Sequence, residues 1–354
     1  MTNNISSGER KILELDPCFS TTRLLTREEP NIIQNNSDKI SKLLFLPPSP
    51  KRKGEGGLRT KGYFKTSYDK SGGVWTNLPL PLITIVTVVF NAEKSLERTI
   101  QSVLTQSYDN VEYIIIDGGS TDGTLDIIRR YEEKIDYWVS EPDRGLYDAM
   151  NKGIQLSSGE VIGLLNSDDV YENDSLQKVR DLSIAEGEVD RMLVIAGAKR
   201  SVDYTRGVQI TVGLDPDFLK TIDYNMPLHH PATFVERKVY ETIGGFNTSY
   251  QISGDYDLIF RCYREPRVKF VHTDDVLTKM SKGGLSMKLK TLFLILKENF
   301  SIRKNNNVVL IDNFKHSLRW FVKNLMFRIG KLVLNDEAIL WYYKIRYKNQ
   351  RENI

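Results

Sequence analysis

The stretch Tyr113-Ile-Ile-Ile-Asp117-Gly-Gly-Ser-Thr-Asp-Gly-Thr124 is an apolar run that ends abruptly in carboxylates, glycines and hydroxyls. Such a run reads as a buried strand, and the break marks its carboxyl end. Some forty residues on, Leu164-Leu-Asn166-Ser-Asp168-Asp169-Val170 repeats the pattern. Open α/β sheets gather ligands outside the carboxyl ends of their strands. Two acidic strand ends therefore predict a pocket for a nucleotide and a divalent cation.

Outward from these two strands the pattern alternates. Ile83–Val89 is β-branched and reads as a strand. Ser95 is placed to cap a helix whose apolar face is Leu96, Ile100, Val103 and Leu104. Val111–Ile116 is a strand, Thr124–Tyr131 a helix and Ile135–Val139 a short strand. A helix carrying Leu146, Met150, Gly153 and Ile154 on one face follows, then a strand at Val161–Leu165. Strands alternating with helices of this size imply a mostly parallel sheet wrapped on both faces, an α/β fold. Beyond Asp174 the alternation loosens. Strands are expected at Met192–Ala196, Val208–Val212, Ala232–Val235, Arg267–His272 and Val276–Met280, and a helix at Asp255–Tyr263.

These elements predict an α/β domain over 81–286. Residues 1–80 read as a weakly ordered extension, from their Asn/Ser-rich patch and the Pro/Lys/Gly segment Pro47–Gly57, with apolar pieces such as Leu43–Leu46 able to dock. Residues 287–354 read as a basic helical extension.

With 354 residues, 40% of them apolar and 27% charged, a sizeable core is expected. The net charge of +3 resolves into +9 from Lys288 onward and −6 before it. Two cysteines, Cys18 and Cys262, fit a reducing cytoplasm better than a disulfide framework. Met1–Lys11 lacks the layout of a secretion signal, and no apolar run approaches the ~20 residues that span a bilayer. The expected place is the cytoplasm, with peripheral contact at the inner face of the cell membrane as the one membrane role.

Three constellations carry chemistry. Asp117 ends a strand before two glycines, which let backbone and ligand approach closely; the competing reading is a turn in which Ser120 or Asp122 caps the next helix. Asn166, Asp168 and Asp169 form an oxygen-only set suited to Mg²⁺ or Mn²⁺ with a diphosphate, against an acidic surface turn. Asp255, in Ser253-Gly-Asp-Tyr-Asp257, opens a helix as either a cap or a general base.

Together, Thr87-Val-Val-Phe-Asn91, the Asp117–Thr124 segment, Ser140-Glu-Pro-Asp-Arg-Gly-Leu-Tyr-Asp-Ala-Met-Asn-Lys-Gly153, Asn166–Asp169 and Ser253–Asp257 resemble glycosyltransferase family 2, from about Leu82 to Ser286. The resemblance implies the GT-A fold, nucleotide-diphosphate sugar donors, and inversion of the anomeric centre in one displacement onto a saccharide or lipid-linked acceptor, in surface polysaccharide synthesis. By position it places Val88, Phe90, Asn91, Asp117 and Asn166 at the donor, with Phe90 against the base. Asp168 and Asp169 become metal ligands and Asp255 the catalytic base. Asp143 is expected to hold the donor and Arg144 its phosphate. His229, His230 and His272 are secondary candidates for acceptor or phosphate, against a role as core or loop histidines. Two departures stand out. Gly118 occupies a position where many relatives carry a second acid, and Asn166 replaces the first aspartate of the metal motif. The second departure also admits a catalytically inactive relative.

In the tail, Phe321, Val322, Leu325, Met326, Ile329, Leu332 and Val333 share one arc of a helical wheel, with Arg319, Lys323, Arg328 and Lys331 opposite. Residues 315–348 are therefore expected either to lie on an anionic membrane or to pack on the domain or a second subunit. Two rival functions fit the pattern less well. A sugar-phosphate nucleotidyltransferase calls for a glycine-rich basic loop after its first strand, and Asn91–Thr99 has no glycine. A nucleic-acid-binding protein is disfavoured by the acidic body, so no nucleic acid is expected as partner.

Overall fold

The computed structural model describes residues 19–67, 80–188, 190–203, 208–215, 217–281 and 289–333. Met1–Lys11, Cys18 and the 334–348 part of the tail read from the sequence fall outside these residues.

Ten strands join in one sheet: β1 (Gly54–Gly56), β2 (Ile83–Val89), β3 (Val111–Asp117), β4 (Tyr137–Ser140), β5 (Val161–Asn166), β6 (Val170–Tyr171), β7 (Met192–Asp203), β8 (Val208–Val212), β9 (Thr233–Glu236) and β10 (Val268–Ser281). Their order is β1-β4-β3-β2-β5-β9-β7-β10-β6, with β8 beside β7. Strands β4, β3, β2 and β5 form a parallel core; β9 reverses direction, and β7 with β10 reverses it again. Helices α1 (Leu96–Leu104), α2 (Thr124–Arg130), α3 (Leu146–Leu156) and α4 (Ser175–Glu186) follow strands of the first half. Then come α5 (Arg237–Ile243), α6 (Gly254–Arg264), α7 (Leu292–Asn305) and α8 (Leu310–Val333).

Every residue of β2 and β3 is buried, as expected of strands covered on both faces. The alternation sorts them: Val86, Val88, Ile114 and Ile116 meet α3 and α6 on one face. Ile83, Ile85, Tyr113 and Ile115 meet α1, α2 and α4 on the other. Burying each such aliphatic side chain contributes roughly 1.5–3 kcal/mol. Helix α1 buries the face read from the sequence, although Ser95 makes no capping bond through its side chain.

One expectation is corrected here. The strands expected at Arg267–His272 and Val276–Met280 are one strand, β10, kept continuous by register shifts at His272/Val276 and Val276/Thr278. Such irregularities absorb an extra residue and bend the strand, which let polar Asp274 and Asp275 pass for a loop. Within the extension expected over the first 80 residues, 19–67 is described and its apolar pieces pack on the sheet domain. Leu25, Leu46 and Leu58 are buried, and β1 adds an edge strand beside β4. Arg59 and Glu112, both buried, pair at 2.6 Å. The cations that made this segment look like a linker have protein partners: Arg52 pairs with Glu141 at 3.0 Å, and Lys53 Nζ donates to the carbonyls of Gly119 and Ser120.

Candidate active site

The register of the parallel core brings four strand ends to one level. Val88 lies opposite Asn166, Val89 opposite Asp117, and Asp117 opposite Ser140. The turn after β3 is held by Asp117 itself. Its buried carboxylate accepts from Ser120 Oγ at 2.5 Å, Ser120 N at 3.0 Å and Ser140 Oγ at 2.6 Å. Gly119 takes φ +85°, open to glycine at little cost. Asn91 braces the same turn: its N donates to Ser120 Oγ, and its Oδ1 accepts from Thr121 N, both at 2.8 Å. Val88 is a core residue, whereas Phe90 is 63% exposed at the mouth of the cleft.

Asp143 enters from the loop after β4. Its Oδ1 accepts from Gly145 N at 2.8 Å, and burial pushes its carboxyl above the ordinary range. A Cβ built on Gly118 would lie 2.5 Å from Asp143 Oδ2 and 3.5 Å from Phe90 Cδ2. Gly118, Asp143 and Phe90 thus meet at one wall. Arg144 does not point its charge there; it is exposed and pairs with Asp148 at 2.7 Å.

Asp168 and Asp169 occupy the turn after β5. Asp169 Oδ1 accepts from Ser281 N at 3.0 Å and Oδ2 from Asn166 Nδ2 at 3.3 Å, while Thr99 donates to its carbonyl. Ser281 Oγ donates to the carbonyl of Asp168. Burial, then the neighbouring Asp168 charge, pushes Asp169 up to about 7, and burial raises Asp168 as well. Two adjacent hard-oxygen donors that resist sharing negative charge are a set that a divalent cation relieves, so these residues fit Mg²⁺ or Mn²⁺. Among the described residues no group of three or more His, Cys, Asp or Glu is arranged to hold a metal. The two carboxylates would therefore leave most of the coordination shell to other oxygens.

Asp255 is not the cap of α6; Ser253 holds that position. The Asp255 carboxylate bonds Tyr256 N at 2.9 Å. It lines a narrow, largely apolar cavity with His230, Thr233 and Leu164. Leu164 and Asn166 share a face of β5, so the cavity lies beside the carboxyl end of that strand. Burial raises the Asp255 carboxyl, with His230 opposing the rise. His230 Nε2 is buried and has no hydrogen-bond partner among the described residues.

The other two histidines part company with this group. His229 bonds the carbonyl of Gly213, and burial lowers it to about 3, so it stays neutral. His272 is exposed on β10, edge-on to Phe218 and one strand removed from Thr233.

Four residues escaped the sequence reading. Lys199 on β7 lies near Asp169, its ammonium lowered by burial and raised by that aspartate. Tyr147 Oη donates to the carbonyl of Ile252 and receives Asp255 N at 3.4 Å. Glu298 on α7 accepts from the N atoms of Gln251, Ile252 and Ser253 at 2.7, 3.1 and 2.8 Å. Ser281 closes β10 over the Asp168–Asp169 turn. Only the Tyr147 signal was local, in the motif already singled out. A separate cleft lined by Met192 and Arg267 sits at the amino ends of β7 and β10 and holds none of these groups.

A profile of glycosyl transferase family 2 matches residues 84–244. An uncharacterised glycosyltransferase of Mycobacterium tuberculosis is 32% identical over 51% of this chain and 68% of its own. A PGL/p-HBAD biosynthesis glycosyltransferase of Mycobacterium bovis is 27% identical over 65% of this chain and 89% of its own. The mannosyltransferase PcManGT from Pyrobaculum calidifontis, solved with GDP-Man and Mn²⁺, superimposes with a TM-score of 0.51 at 16% identity, over 75% of this chain and 79% of that one. The α/β sheet has the GT-A fold, and the chain belongs to glycosyltransferase family 2.

Proposed function

We propose that this enzyme moves a sugar from a nucleotide-diphosphate sugar to a hydroxyl of a saccharide or lipid-linked acceptor, inverting the anomeric centre in a single displacement. The observation that carries the reading is the register that sets Val89 and Ser140 beside Asp117 and, one residue earlier on the same strand ends, Val88 beside Asn166, with Asp255 joined to the same end of the sheet through Leu164.

The exposed ring of Phe90 stacks on the base. Asp143 accepts hydrogen bonds from base or ribose, and Asp117, Asn91 and Val88 keep the wall beneath in shape. Asn166 steadies Asp169. Mg²⁺ or Mn²⁺ held by Asp168 and Asp169 would draw negative charge off the departing diphosphate. Lys199, its ammonium disfavoured by burial and favoured by Asp169, stands beside that aspartate, and Arg144 meets phosphate from the rim by exchanging Asp148 for it. Asp255 takes the proton of the incoming hydroxyl. A carboxylate raised by burial is a stronger base than one in water, provided it is ionised at working pH. His230 lies beside it as its polar neighbour. A role in surface polysaccharide or glycolipid synthesis is supported by the relative named for PGL/p-HBAD biosynthesis.

The test is nucleotide release from UDP-, GDP- and dTDP-sugars with Mg²⁺ or Mn²⁺, followed by NMR of the product anomer. Release of pyrophosphate, or a retained anomer, overturns the proposal.

A further inference from the structure

Helix α8 is turned inside out relative to a helix on a globular domain. Its inward face is polar. Asn313 and Ser317 are buried, and they accept from Nε and Nη2 of the buried Arg303 of α7 at 2.8 and 2.5 Å. Asn313 also donates to the carbonyl of Phe300 at 3.0 Å, and His316 stacks on Tyr224. The apolar residues look outward: Leu310, Ile311, Phe314, Leu318, Val322 and Met326 are 45–69% exposed. Along a helix these cover about 24 Å at ~1.5 Å per residue. Phe293 of α7, 68% exposed, touches Phe321 and widens the row.

The rim of this surface is cationic. Lys297, Lys304, Lys315 and Arg319 are exposed on the described parts of α7 and α8, against one exposed carboxylate, Asp312. The sequence of α8 goes on to Lys323, Arg328 and Lys331. An apolar row between cations matches the acyl boundary and headgroups of an anionic bilayer. A second copy would bring like-charged rims together. No described helix is long and apolar enough to cross a membrane, so the arrangement suits one lying in the interface.

We propose that the outward face of α8, with Phe293, docks the enzyme on an anionic membrane surface. This goes beyond the transferase reading and does not depend on it. Helix α7 packs on α8, and its Glu298 holds the backbone of residues 251–253 just ahead of Asp255. That arrangement suits an acceptor presented by the lipid.

The experiment is flotation of the full chain with vesicles of phosphatidylcholine alone and with about 30 mol per cent phosphatidylglycerol, at low and high salt. Wild type should float with the anionic vesicles and less so in high salt. Phe314→Asp/Leu318→Asp and Lys315→Glu/Arg319→Glu should each raise the lipid concentration for half-binding by about tenfold or more. Nucleotide-sugar binding in solution should be unchanged in both, which separates loss of docking from loss of the donor site. If circular dichroism shows the aspartates unfold the helix, Phe314→Ser/Leu318→Ser gives the same reading. The idea is overturned if wild type stays with the bottom fraction, or if the apolar variants float like wild type. It is equally overturned if light scattering shows a lipid-free dimer that these variants dissociate.

Discussion

The Oδ2 atom of Asp143 lies 2.5 Å from the point where a side chain on Gly118 would begin, so the two positions share one volume of the cleft. A carboxylate at 143 and a side chain at 118 exclude one another. Asp143→Ala should therefore weaken nucleotide-sugar binding by about 10- to 100-fold, the range expected for a charge-assisted hydrogen bond. Gly118→Ala should weaken it as well by displacing Asp143, with little change in melting temperature because only a side-chain end must move. Calorimetric titration of donors into both variants measures this. Unchanged affinity in Asp143→Ala ends the assignment.

Asp255 gives a pH signature. Burial raises its carboxyl and His230 holds it back. Below that raised value the base is protonated, so kcat should fall on the acid side at a pH above the ordinary carboxylate range. Replacing His230 by Gln should move this limb upward, since the group that favours the ionised form is gone. Asp255→Asn should keep donor affinity and lose about 10²-fold or more of the transfer rate. A pH profile of the His230 variant superimposable on wild type would sink the coupling.

At the metal turn the two aspartates should behave differently. Asp169 is buried and holds Ser281 N, whereas Asp168 engages Ser281 only through its carbonyl. Asp168→Ala should abolish Mg²⁺- or Mn²⁺-dependent donor binding while leaving the fold intact. Asp169→Ala should do the same and also cost about 1–3 kcal/mol of stability, by stranding a backbone donor. Chelation should reduce wild-type donor affinity to that of Asp168→Ala. Equal donor affinity with and without chelator would exclude metal-assisted binding.

Glu298 ties the carboxyl-terminal helices to the chemistry. Its carboxylate gathers three backbone N–H groups directly ahead of Asp255. Glu298→Ala should reduce kcat with the donor affinity unchanged, because the loop it holds leads to Asp255, the proposed base, and not to the proposed nucleotide wall. Glu298→Gln, which keeps one acceptor, should recover part of the loss. Parallel loss of donor affinity and kcat would mean that the helix merely supports the fold.

Strands β2 and β3 and helix α1 were legible because their signals are local: an unbroken apolar run, or a face repeating every three to four residues. Asp117, Asp168 and Asp169 were legible for the same reason, standing where such runs stop. The sequence could not disclose that Asp117 spends its carboxylate on Ser120 and Ser140, since that depends on the register of β3 against β4. Lys199 and Glu298 were invisible because their partners lie 30 and about 45 residues away. The contacts of segment 19–67 were hidden for a different reason. Its glycines and cations have the composition of a solvated linker, yet Lys53 donates to the carbonyls of Gly119 and Ser120, and Arg59 is buried against Glu112.

That last pair supplies a stability test. Burial alone would raise Glu112, but Arg59 and the bonds from Ser158 and Thr84 outweigh it and hold the carboxyl below its usual range. A depressed carboxyl contributes stability above its unfolded pKa of about 4.3, and the contribution is lost as pH falls toward the folded value. Arg59→Leu leaves Glu112 buried without its cation and should cost about 3–5 kcal/mol at neutral pH. The cost should shrink as pH falls from neutral toward about 4, because a buried Glu112 without its cation protonates more readily and sheds the unpaired charge. Arg59→Leu/Glu112→Leu should recover most of the loss, since apolar replacement of a buried pair is often near neutral. Urea unfolding of the three proteins at neutral and acid pH measures each term. An Arg59→Leu penalty below ~1 kcal/mol at neutral pH would show that the amino-terminal segment rests on the sheet without contributing to its stability.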